Sequence, residues 1–387
     1  MNDDNTTSRK SLIVAALIWL LPFLVITVMV IHKPEHRTVM GTYCTATDLF
    51  WNRADMYQPK EVGPGDTAFV YLPQAAILFT PFTLMPRVCG EVLFRALMLG
   101  LLAHGIWRVT QTFFSRQRDL AFLLLSLVAM PISLGALRNA QANVLLAAIS
   151  LYIMAALAGQ KYWSAALWMG FSVVVKPLLI PLIGLAVLSF PAVLVPLLVT
   201  MSAALALPFL FAAPDYVINQ YALFWQMVTG YSATVERWRY ADISGVIYFL
   251  GGDLSPWLSR ILRFGAGLVF LALALFGIRK TKDVARQALW IGTLGGTYLM
   301  LFNLATEKNS YVIIAPFLGL WATMFFQLWK DKLRGGMIVG LVASMALLPT
   351  IFWSWLHNRF GIVWFPLMMI MFLGLVVQWW FCQTTEE

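Results

Sequence analysis

The chain has 387 residues, of which 60% are hydrophobic and 12% charged, with a net charge of +9. A soluble globular protein carries about twice that share of charge, so a water-soluble enzyme is excluded and a multi-pass membrane protein is indicated. The basic residues gather at the ends of apolar runs, so the partner of the positive charge is the membrane surface rather than nucleic acid.

The first apolar run, about 11–32, follows Arg9 and Lys10. It is longer than a signal-peptide core and no small-residue cleavage site precedes His32, so a retained anchor is expected. With the N-terminus taken as cytoplasmic, a polar stretch from Lys33 to about Thr67 lies on the far side. The next segment, FVYLPQAAILFTPFTLMP at 69–86, has Pro73, Pro81 and Pro86 and little continuous apolar length. It reads as an interfacial helix rather than a span.

Further runs follow at 90–113, 119–136 and 140–159. A proline-broken pair, 163–176 and 177–189, meets at Lys176-Pro177, and 191–213 leads to a second outer stretch, 214–258. Runs at 259–278, 287–304, 311–329, 336–356 and 361–382 complete the chain. Basic clusters (Arg279, Lys280, Lys282 and Arg286; Lys330, Lys332 and Arg334) fall in short loops on the assigned inner face, where the positive-inside rule has force. The expectation is one all-α unit over 1–387 with about 10–12 transmembrane helices and outer loops at about 33–89 and 214–258. No internal repeat is visible.

Lys176 lies in VVVKPLLIPL with no other charge within ten residues. An ammonium in hydrocarbon is costly, so it either faces a cavity, where it can bind a lipid phosphate, or reaches the interface from a hairpin tip. LRNAQANVLL brings Arg138, Asn139, Gln141 and Asn143 to a helix start, with Asn139 a possible cap. Gln141 and Asn143 form a polar cavity wall or interhelical hydrogen bonds. In TEKNSY, Glu307 and Lys308 either pair across a tight turn or face a ligand. In VERWRYADISG, Arg237 and Arg239 suit bidentate phosphate binding, and a solvated loop is the alternative. The outer acids Asp48, Asp55, Glu61 and Asp66 include possible general bases.

Several functions lose support. There is no phosphate-cradling GxxxxGK[ST] loop for ATP-driven transport and no GxSxG elbow. His32, His36, His104 and His357 are scattered, and Cys44, Cys89 and Cys382 lack metal-ligand spacing, so no metal site is expected. A Cys44–Cys89 disulfide is open to a chain whose outer face is oxidising.

Four stretches in order, FVYLPQAAILFTPFTLMP, NAQANVLL, GFSVVVKPLLIPL and FNLATEKNSYVIIAP, resemble glycosyltransferase family 87, whose members share the GT-C architecture. The resemblance covers about 37–330. It implies a GT-C-type helical bundle with interfacial helices in the first outer loop. It also implies transfer of a hexose, often mannose, from a polyprenyl-phosphate donor to a glycolipid or glycan acceptor, with membrane lipids as the surroundings. The implied location is the outer (periplasmic or extracellular) face of the plasma (inner) membrane, with no cofactor.

An acid in the first outer loop is the implied base, and Asp48 is the candidate, with Asp66 and Glu307 as alternatives. Val39 and Met40 stand where many members carry that acid, before a tyrosine matched by Tyr43. Asn309 and Ser310 stand near a position where some members have histidine. Donor phosphate falls to Lys176, Arg237, Arg239 and Arg138, and substrate to Tyr71, Gln141, Asn143, Glu307, Lys308 and Asn309. A carrier or flippase of lipid-linked sugar is the competing class, since broken helices and an intramembrane lysine suit it too.

Overall fold

The computed structural model describes residues 2–57, 69–114, 116–234, 240–303, 306–351 and 354–382. Every regular element among them is helical: α1 Asn2–His32, α2 Met40–Trp51, α3 Pro73–Thr83, α4 Arg87–Phe113, α5 Arg118–Arg138, α6 Asn143–Ala158, α7 Tyr162–Val175, α8 Ile180–Ser189, α9 Leu194–Ala206, α10 Pro214–Thr234, α11 Ile243–Phe249, α12 Pro256–Ile278, α13 Val284–Phe302, α14 Ala315–Gln327, α15 Lys332–Ile351 and α16 Ser354–Cys382.

Among the described residues, six helical segments are long and apolar enough to cross a membrane. They are Arg9–His32, Arg87–Phe113, Arg118–Arg138, Pro191–Leu210, Pro256–Ile278 and Gly361–Cys382. The pair Tyr162–Val175 and Pro177–Ser189, bent by 118°, makes a seventh if taken as one broken span. The larger number expected from sequence counted other apolar runs too. Of these, α6 and α14 have 16 and 13 residues, roughly 24 and 20 Å of helix against about 30 Å of hydrocarbon. Both are buried almost all round, α6 packing against α4, α7 and α13 at the centre of the bundle. A helix apolar on every side and enclosed by others is surrounded by its neighbours rather than lipid, so its length need not match the hydrocarbon.

The described parts of the two stretches expected on the outer face, about 33–89 and 214–258, are largely helical. The first contains α2, which buries Met40, Tyr43, Ala46, Thr47 and Phe50 on one side. α3, with 11 residues, is too short to span, as expected of 69–86. The second contains α10, which docks on the end of α2. Tyr216 donates to Ala54 O at 2.9 Å, Gln220 Nε2 to Asp55 Oδ1 at 3.0 Å, and Arg53 Nη2 to Phe211 O at 2.6 Å.

A buried charge cluster fixes the start of α4. Glu91, fully buried, pairs with Arg95 and with Arg87 (3.1 Å), and both its oxygens accept from Thr38 Oγ1. Arg95 also donates to Leu137 O (3.1 Å) and Arg138 O (2.8 Å), closing the carbonyl end of α5. The Cys44–Cys89 disulfide does not form: Cys44 Sγ lies 3.2 Å from Arg87 Nη1, and Cys89 is exposed and free.

Candidate functional site

The site lies where α6 begins and where α5, α7 and α13 end, and Pro177 is the first reason for it. Proline disfavours the α region for the residue before it, and Lys176 is extended (φ −170°, ψ 128°). α7 therefore stops at Val175 and the chain turns. Lys176 sits at the joint of the broken pair, partly exposed, with its Nζ 5.4 Å from the centre of the Tyr71 ring. That distance is within cation–π range.

Tyr71 precedes α3 and is held by Tyr57, whose hydroxyl donates to Tyr71 O at 2.7 Å. Its own hydroxyl is 3.0 Å from that of Tyr43 on α2. The Tyr43 ring stacks on Phe79 at 4.0 Å, and the Tyr71 ring meets both edge-on. The Tyr43 hydroxyl accepts from Ala142 N at 3.2 Å. Ala142 is the residue before α6 and has no side-chain cap of its own, so a tyrosine from the first outer stretch caps the central helix. Burial pushes the Tyr43 phenol up to about 12, and that of Tyr71 well above its ordinary value.

The third wall is polar. Gln141 Nε2 donates to Glu307 Oε2 at 3.0 Å, and Asn143 Nδ2 donates to Ser310 Oγ at 3.2 Å and Gln141 Oε1 at 3.4 Å. Glu307 is exposed and within electrostatic reach of Lys176, Tyr43 and Tyr71. Asn309 occupies room left by Gly135 of α5, where an added Cβ would lie 2.6 Å from its Oδ1. Lys308 is turned aside against α16, its Cδ 2.7 Å from where Gly361 would carry a Cβ. Partial burial draws the Lys308 ammonium below its ordinary value.

Tyr71, Gln141, Asn143, Lys176, Glu307 and Asn309 are thus brought together at one end of the bundle, each from one of the four stretches singled out in sequence. Arg138 is half-buried at the end of α5, its carbonyl held by Arg95. Asn139 is the C-cap of α5 rather than an N-cap, because the helix it precedes begins only at Asn143. Glu307 bonds to Gln141 and does not close a tight-turn pair with its neighbour.

Asp48 is exposed on the side of α2 that carries Cys44, and the face of that helix bearing Tyr43 is the one turned to the site. Arg237, Arg239, Glu61 and Asp66 lie outside the described residues. One contributor escaped the sequence reading. Gln74, fully buried, accepts from Tyr221 at 3.0 Å while its Nε2 has no partner among the described residues. Asp242 caps α11 by accepting from Gly245 N at 3.0 Å, beside a bond from Ala241 N to Thr306 O at 2.7 Å that ties the second outer stretch to Glu307's segment. Among the described residues no cluster of His, Cys, Asp or Glu is arranged to hold a metal.

An all-helical multi-pass membrane protein with a cationic, aromatic and carboxylate-bearing site at one end of its bundle is the class so defined. The model of glycosyltransferase family 87 matches residues 69–304, more than half of the chain, and the chain belongs to that family. It is a membrane glycosyltransferase, which decides against a carrier of lipid-linked sugar. The matched span includes Tyr71, Gln141, Asn143 and Lys176 and ends just short of Glu307. No curated protein matches the chain, and no solved structure does.

Proposed function

We propose that this transferase takes a hexose, mannose in the first instance, from a polyprenyl-phosphate donor. The acceptor is a glycolipid or glycan on the outer (periplasmic or extracellular) face of the plasma (inner) membrane. The observation that carries the reading is the meeting of Lys176, Tyr71 and Glu307 beside membrane-length helices, within reach of a lipid-borne substrate. The outer assignment rests on the basic residues at the opposite end of the bundle, Arg116 and Arg118 before α5, Lys161 after α6, and the loop from Arg279 to Arg286.

The donor phosphate binds at Lys176, with Arg138, Arg237 and Arg239 as further cations, and the sugar is held by Gln141, Asn143 and Asn309. The acceptor hydroxyl gives its proton to a carboxylate as its oxygen attacks the anomeric carbon. The bond from that carbon to the phosphate oxygen breaks, its electron pair leaving with polyprenyl phosphate, and the configuration inverts. We assign the base to Glu307 ahead of Asp48, because Glu307 shares the site with Lys176 whereas Asp48 faces out from α2. Lys176 and the Tyr71 hydroxyl stabilise the departing phosphate, where charge builds up.

The test is to incubate the purified protein with polyprenyl-phosphate mannose and a membrane lipid extract and follow the donor by mass spectrometry. Release of polyprenyl phosphate together with a hexose-shifted product supports the reading. Failure to consume any of several polyprenyl-phosphate hexoses overturns the donor assignment.

A further inference from the structure

A second polar cavity lies at the far end of the bundle, where α4 and α6 finish and α7 and α13 begin. Its volume is about 270 Å³, and its lining includes Arg108, Thr112, Tyr152, Lys161, Ser164 and Trp168. Its lining residues nearest the transfer site, Tyr152 on α6 and Trp168 on α7, stand roughly 14 and 12 Å along their helices from Asn143 and Lys176, so it is no part of that site.

Its chemistry is that of an anion receptor. Arg108 and Lys161 are the charged residues of the lining, which has no carboxylate. Neither cation has an ion-pair partner among the described residues. Thr112 and Ser164 add hydroxyls. Ser164 is in the first turn of α7, whose backbone N–H groups face the same end. One wall is rigid: the Tyr152 and Trp168 rings stack at 4.3 Å, and the Tyr152 hydroxyl is fixed by His104 Nδ1 at 2.7 Å and Leu101 O at 3.1 Å. Just outside, Trp163 and Leu167 on α7 are 58% and 61% exposed. An apolar flank beside a basic pocket at a helix end suits a phosphate carried by a lipid.

We propose that this cavity binds a phosphate-ester anion, its oxygens taken by Arg108 and Lys161 and its substituent passing over the Tyr152–Trp168 wall. An anionic phospholipid headgroup and a soluble phosphate share this chemistry, and the experiment separates them. The full-length protein in detergent is titrated with phosphatidylglycerol, phosphatidylcholine and inorganic phosphate, and bound adducts are counted by native mass spectrometry.

Preferential binding of phosphatidylglycerol over phosphatidylcholine supports the site with a lipid as its source. Binding of inorganic phosphate in competition with the lipid supports it with a soluble source. In either case Arg108→Ala with Lys161→Ala weakens binding by about tenfold or more, while Arg118→Ala, on the same end but outside the cavity, leaves it unchanged. Equal retention of both lipids with no phosphate adduct overturns the proposal without any variant. So does an equal loss in Arg118→Ala, which would make the effect one of general surface charge. Unfolding midpoints of the variants are compared with the parent, and since Arg108 and Lys161 are exposed they are expected to agree.

Discussion

The hydroxyls of Tyr43 and Tyr71 are 3.0 Å apart and share one hydrogen bond in which either can donate. Tyr43 already accepts from Ala142 N, and its single proton has no acceptor among the described residues other than Tyr71. A buried hydroxyl left without an acceptor is costly. A ligand oxygen that accepts from Tyr71 satisfies both protons at once: Tyr43 then donates to Tyr71 and Tyr71 to the ligand, on the ring over which Lys176 sits. Tyr71→Phe keeps the ring and removes that donor. Its turnover should fall about 10- to 100-fold, the cost of one hydrogen bond to a charged group, with the unfolding midpoint little changed. Tyr43→Phe should do the reverse, lowering the midpoint because Ala142 N–H loses its partner. Turnover and thermal unfolding measured on both variants distinguish the two roles.

The same burial predicts an alkaline limit. Below pH 10 the Tyr43 phenol is protonated in both folded and unfolded chains. Between 10 and about 12 the unfolded chain releases that proton while the folded one holds it, so stability falls as pH rises through this window. Tyr43→Phe should flatten the decline, measured as unfolding midpoint against pH. An unchanged slope would place the ionising groups elsewhere.

Lys176 owes its position to Pro177, so charge and geometry can be tested separately. Lys176→Ala should reduce donor-dependent turnover about 10²- to 10³-fold with expression intact, as for loss of a group that stabilises developing charge. Lys176→Arg should recover part of it. Pro177→Ala restores an N–H and lifts the restriction on the preceding residue, letting α7 continue and withdrawing the ammonium from Tyr71. It should lose turnover though every charge is retained. Near-normal turnover in Lys176→Ala would end the phosphate role.

These residues differ in how openly the sequence announces them. Lys176-Pro177 was legible because a lone charge before proline in an apolar run has few placements. Gln141, Asn143 and Glu307 stood out as polar groups at helix ends, but that Gln141 bonds to Glu307 depends on how α5, α6 and α13 pack, which no local pattern encodes. α2 was hidden by the polar composition around it, although Tyr43, Ala46, Thr47 and Phe50 fall on one helical face, a spacing that periodicity alone could have found. Asp48 drew notice as an outer carboxylate near Tyr43. Five residues along a helix is about 140° around it, enough to turn an acid away from its neighbour's cavity.

The sequence reading passed over Glu91 and Arg95, yet they stand four apart on α4, both buried, between Thr38 and the end of α5. Removing one partner of such a pair leaves an uncompensated charge, at a cost of about 3–5 kcal/mol. Glu91→Ala should therefore lower the unfolding midpoint far more than any substitution at the site, and Glu91→Gln, which can still bond Thr38, should lower it less. Turnover per folded molecule should change little in either. A variant that keeps its midpoint but loses turnover would move Glu91 from framework to chemistry.

The choice of base is settled by two isosteric variants compared under one assay. A general base within reach of the acceptor hydroxyl contributes about 10²- to 10⁴-fold to rate, and its amide analogue loses that while keeping size and hydrogen bonding. Glu307→Gln should therefore fall by at least about 10²-fold with donor binding retained, since Gln141 can still bond the new side chain through its carbonyl oxygen. Asp48→Asn, on the outward face of α2, should stay within about twofold, the range of an exposed substitution far from the chemistry. If Asp48→Asn is the variant that loses rate, α2 must turn its exposed face to the acceptor when substrate binds, and the carboxylate of the first outer stretch takes the proton. If both keep their rate, the base is to be sought at Asp66, and Glu307 serves to hold Gln141 and balance the charge of Lys176.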